Sequence, residues 1–78
     1  MEQFSLEKYL ANPSRKVVTR CGYSVRILCT DKKSSLSIVA LITNKDGGEF
    51  VGNYNSFGKY NDCDYAYSFD LFFVSDVD

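Results

Sequence analysis

Apolar positions along the chain recur with two different periods, and the change falls at Asn12-Pro13. Before it, Leu6, Tyr9 and Leu10 share one face at i, i+3, i+4 spacing, which predicts a short helix over residues 5–12. Ser5 stands where an N-cap belongs, Phe4 and Tyr9 are placed to staple the first turn, and Asn12-Pro13 stops it. So short a helix is unstable alone, and its apolar face must rest on something else.

Beyond Pro13 the period is two. Strands are predicted over 16–20 and 24–30, joined by a two-residue turn at Cys21-Gly22 in which Gly22 supplies the positive φ. Alternation puts Val25, Ile27 and Cys29 on one face, with Cys29 expected in the core as a small apolar residue. The segment 37–43 is apolar on both faces, Ile38, Ala40 and Ile42 on one and Val39 and Leu41 on the other, as expected of a central strand covered from both sides. Turn residues at 44–48 lead to a strand over 49–54, a second turn follows at 55–58, and a last strand over 69–74 precedes an acidic tail, 75–78. The expected fold is mainly β: one domain, 1–78, with a short N-terminal helix and a five-stranded antiparallel meander, either a curled sheet or a partly open small barrel.

Composition narrows the chemistry. With 45% hydrophobic and 15% aromatic residues the chain can build a core, but 78 residues bury too little surface for that core to exceed a few kcal/mol unaided. There is no histidine, which removes Ser-His, Cys-His and His-metal chemistry together. Cys21, Cys29 and Cys63 have no zinc-ligand spacing and cannot all pair, so they read as reduced thiols in a cytoplasmic protein. Asp62-Cys63-Asp64 and Asp76-Val77-Asp78 do not continue into a calcium loop, so neither a metal nor a cofactor is expected. No segment reads as a secretory leader or a membrane span. A non-enzymatic protein is expected.

The run Phe4-Ser5-Leu6-Glu7-Lys8-Tyr9-Leu10, then Lys16-Val17-Val18-Thr19-Arg20 with its Gly22 turn, Val25–Asp31, Ile38–Ile42 and Asp70–Val74, resembles a group of short proteins from gut Bacteroidales and their phages and mobile elements. Cys21 stands where similar sequences often carry Asp. The group has no assigned activity, so the resemblance implies a small intracellular accessory protein and supplies no site residue.

Two candidate surfaces remain. Tyr54, Phe57, Tyr60, Tyr65 and Tyr67 alternate with Asn, Gly and Ser, a composition suited to binding a protein partner or a second copy; equally, those rings can simply line the sheet. Charge is segregated: residues 1–59 hold all nine bases and five acids, and 60–78 hold five aspartates. Arg15, Lys16, Arg20, Arg26, Lys32 and Lys33 form an early basic cluster, which with aromatic side chains would serve the alternative, single-stranded nucleic-acid binding. The leading expectation is an interaction module working through a sheet edge or the aromatic segment.

Overall fold

The computed structural model describes residues 2–61 and 66–74. Strand β1 (Glu2–Gln3) precedes helix α1 (Leu6–Ala11), and β2 (Val17–Thr19), β3 (Ser24–Cys29), β4 (Ile38–Thr43), β5 (Glu49–Tyr54) and β6 (Leu71–Phe73) follow. All pair antiparallel in one sheet, in the order β1-β6-β2-β3-β4-β5. Only β2 to β5 form a meander. The last strand returns across the molecule to lie between β1 and β2, and two-residue β1 is too short to have left a periodic signal.

The sheet is mainly β, curled and not closed. Its margins are tied through the turn after β5: Leu71 N–H donates to the Gly58 carbonyl at 2.9 Å and Leu6 N–H to the Ser56 carbonyl at 2.9 Å. The concave side holds the core, Phe4, Val17, Ile38, Ala40, Ile42, Tyr54, Leu71 and Phe73, each no more than 4% exposed. Tyr54 has room for its ring because Gly52 has no side chain, and a Cβ there would lie 2.9 Å from both Tyr54 Cε1 and Ile42 Cδ1. Helix α1 lies against this core through Leu6 and Tyr9. The Phe4–Tyr9 staple forms with ring centroids 5.9 Å apart. Ser5 occupies the N-cap with extended backbone but makes no side-chain cap bond, and Leu10 stays 58% exposed rather than packing inward.

Three turns share one design. Thr19, Asn44 and Asn55 each open a turn in which the N–H of the glycine three residues on, Gly22, Gly47 or Gly58, donates back to the first residue's carbonyl at 2.9–3.1 Å. All three glycines have positive φ, 94, 86 and 77°. The opening side chain accepts from the N–H after the glycine, Tyr23, Gly48 or Lys59, at 2.9–3.0 Å. The first hairpin loop is therefore three residues, Arg20–Gly22, not two, and Gly22 ends a turn with a bulge.

Two expectations about faces change. Between Ile27 and Cys29 the register slips, Ile27 pairing with Ala40 and Cys29 with Val39. The bulge at Leu28 moves Cys29 from the core face to the convex one, where its thiol donates to Asp31 at 3.2 Å. Strand β4 is flanked by β3 and β5, yet it is covered on one side only: Ile38, Ala40 and Ile42 are fully buried, whereas Val39 and Leu41 are half-buried on the open convex face.

Candidate functional site

The tyrosine-rich segment packs inward. Tyr54 is fully buried, its hydroxyl donating to the Phe69 carbonyl at 2.8 Å, and burial raises its phenol pKa well above the ordinary value. It is a core residue with no surface to offer. Tyr60 and Tyr67 stack with centroids 5.0 Å apart and nearly parallel rings, and both meet Phe69 edge-on. Phe69 also contacts Phe50 and Tyr23, so the segment seals the concave side with an aromatic cluster. Tyr65 lies outside the described residues. Of the named aromatics that are described, Phe57 alone stands well out, 66% exposed, beside Leu6 and Leu10 in a shallow apolar groove.

Asp70 fixes that arrangement. At 2% exposure it accepts from the N–H groups of Tyr60 and Tyr67 at 3.0 Å, from Lys59 at 2.9 Å and from Arg20 at 3.3 Å. Burial alone would raise its pKa; the two backbone donors, then Lys59 and Arg20, outweigh it and hold the carboxyl below its ordinary value. Alternation along the chain cannot reveal this residue, because its partners come from three separate segments.

The basic residues divide between the two sides. Arg15 turns inward: its guanidinium lies 4.2 Å from the Phe73 ring centre, Nη2 donates to Glu2 at 2.9 Å, and Nε is buried with no partner. Lys8 also bonds Glu2, and these two hydrogen bonds, Lys8 first, pull the Glu2 pKa down to about 2. Lys16, Arg20 and Arg26 fall on the convex face with Val18, Val39, Leu41, Val51 and Phe72, as the pairings Val18↔Phe72 and Arg26↔Leu41↔Val51 require. Arg20 spreads over Phe72 at 4.7 Å while holding Asp70 and the Tyr67 carbonyl. Lys32 reaches the same face from the β3–β4 connection, donating to Asn53 Oδ1 at 2.7 Å. Lys33 is exposed on that connection.

The result is a convex sheet face with an aliphatic middle and four cations, where Glu49 on β5 and Asp31, bonded to Cys29 from the β3–β4 connection, are exposed carboxylates among the described residues. Among the described residues no element covers it. Cys21 is exposed at the first turn, its sulfur 3.3 Å from Thr19 Oγ1; Cys63, Asp62 and Asp64 lie outside the described residues. Among the described residues no three His, Cys, Asp or Glu side chains come together, and no helix is long and apolar enough to cross a membrane. No family model, curated protein or solved structure matches the chain.

Proposed function

We propose that this protein is a small non-enzymatic interaction domain whose binding surface is the convex face of its sheet, and that its partner is a protein presenting acidic and apolar groups. The supporting observation is the face itself, where Val18, Val39, Leu41, Val51 and Phe72 lie among Lys16, Arg20, Arg26 and Lys32 with no covering element among the described residues. A second copy docked face to face would set Lys16, Arg20, Arg26 and Lys32 against their own kind, with the exposed carboxylates Glu49 and Asp31 too few to balance them, so an oppositely charged partner is the better fit. Free thiols at Cys21 and Cys29 suit a reducing compartment.

Single-stranded nucleic acid is the second reading, favoured by the alignment of Lys16, Arg20 and Arg26 on one face. Base stacking needs rings, however, and Phe72 is the aromatic the convex face offers, already under the Arg20 guanidinium. Aliphatic side chains suit a protein. A photo-crosslinker replacing Val51 on the face, with one replacing Glu7 on the helix as control, tests the assignment in a lysate of the encoding organism. Val51-specific capture of an acidic protein that Leu41→Asp abolishes is expected. Capture of nucleic acid that falls with Arg26→Ala and with rising salt would replace the protein reading by the second one.

A further inference from the structure

We infer that the notch where β2 ends and β3 runs on alone binds an extended peptide strand of alternating apolar and acidic residues. The inference rests on the protein-partner reading and names the form that partner takes.

The backbone register shows the opening. Val74 N–H donates to the Lys16 carbonyl at 3.0 Å, so the Lys16 main chain faces β6 and that of Val17 faces β3, where Val17 pairs with Val25. Successive residues of an antiparallel ladder point to opposite neighbours. Arg26 therefore faces its partner Leu41 in β4, and Ile27 faces back toward β2. There β2 has already ended: Arg15 N–H turns away to the Asn12 carbonyl at 3.2 Å. The N–H and C=O of Ile27 thus open into a notch of about 180 Å³ lined by Tyr9, Arg15, Lys16, Val25, Arg26 and Ile27. That volume suits one apolar side chain.

Charge supplies the second argument. One step beyond the Val17↔Val25 pair, the register sets Lys16 opposite Arg26, two like charges that repel. Among the described residues neither has an ion-pair partner. An added strand alternates its side chains between faces. Its inward residue rests on Val25, Ile27 and Tyr9, its outward neighbours stand beside Lys16 and Arg26, and its backbone pairs with Ile27. Apolar-in and acidic-out is the pattern that meets all three, with main-chain bonds giving affinity and the notch giving specificity.

The test uses the full chain and the blocked peptide acetyl-Glu-Val-Glu-Val-Glu-Val-amide, followed by proton–nitrogen correlation spectra. The expected result is a large downfield change at the Ile27 amide with smaller ones at Val25 and Arg26. Lys16→Glu and Arg26→Glu, both at exposed positions and checked for an unchanged melting curve, should each weaken binding roughly ten-fold, equivalent to about 1.4 kcal/mol. N-methylation of alternate peptide amides, or Lys in place of Glu, should abolish it. Changes confined to Val39, Leu41 and Val51 would overturn the notch while leaving the convex-face reading intact. Binding undiminished by N-methylation, or an equal Ile27 change with short oligo-dT, would also overturn it.

Discussion

The two faces of the curled sheet are made from alternate residues of the same strands, yet they differ in almost every physical respect. In β4, Ile38, Ala40 and Ile42 are wholly buried, while Val39 and Leu41, equally apolar, remain half in water. The concave face is sealed twice, by α1 against Phe4 and Phe73 and by the 66–70 segment, which seats Phe69 among Tyr23, Phe50, Tyr60 and Tyr67. The convex face has no such cover among the described residues, and cations surround its aliphatic centre. Hydrophobicity alone therefore does not say which side of a strand is core. In so small a domain one face takes nearly all the covering material, and the other is left for a partner.

The sharpest way to break this comparison is to truncate one residue from each face. Phe73→Ala should cost about 3–5 kcal/mol, enough to unfold most of the population, whereas Leu41→Ala should cost under about 1 kcal/mol, both read from urea denaturation followed by circular dichroism. Comparable losses would mean that the convex face is covered in solution. Asp70→Asn should cost about 3 kcal/mol, since an amide nitrogen would confront Lys59, Arg20 and the Tyr67 N–H. Because its folded pKa is lowered, the Asp70 contribution is present above its unfolded value of about 3.9 and is lost as pH falls through the folded one. The variant's melting temperature should thus fall less steeply below pH 4 than the wild type's; Glu2, with its pKa lowered to about 2, keeps some acid dependence in both.

Gly58→Ala separates the sealed face from an outlying turn. Its Cβ would lie 2.8 Å from Phe4 Cβ and 3.1 Å from Leu71 Cβ on top of the positive-φ strain, so a loss of about 2–3 kcal/mol is expected. Gly47→Ala, with nothing within 4 Å, should lose about 1 kcal/mol. Equal melting temperatures for the two would deny that the 55–58 turn is packed. A comparably small effect belongs to Tyr54→Phe, which removes one hydrogen bond to Phe69 and should cost about 1 kcal/mol. Its folded pKa is raised, so wild-type stability should hold up to the unfolded value of about 10 and decline above it. The variant should show a shallower alkaline decline.

Much of the local structure was legible because it depends on neighbours in sequence. The helix, its Phe4–Tyr9 staple and the strands at 17–19, 24–29, 38–43 and 49–54 follow from periodicity, and the glycines at 22, 47 and 58 announce turns only they can close without strain. The last strand is shorter than its apolar run suggests, because Phe69 turns off to serve the seal and the Asp70 side chain goes to Tyr60 and Tyr67 while its carbonyl still accepts from Arg20 N–H. The tyrosines were harder. A row of Tyr among Asn and Ser has the same composition whether its rings face a partner or the core, and the contacts that decide, Tyr60 on Tyr67 and Phe69 on Phe50, join residues from different segments. The basic cluster was visible as a run of charges, but its split between an inward Arg15 and an outward Lys16, Arg20 and Arg26 depends on strand parity and on which face is closed.

By itself, then, the sequence determined the helix, the longer strands and where the turns fall, since these are set by dihedral preference and by side-chain period over a few residues. Only the tertiary structure decided which face of β4 became core, where Cys29 fell after the Leu28 bulge, how Asp70 acquired four donors and where β3 was left unpaired. The core face of β4 and the donors to Asp70 depend on the return of β6 to β2 and on the segment that crosses the concave side, and the other two on how β3 pairs with β4 and β2. Those are long-range choices made by burial summed over the whole chain, and no local pattern carries them.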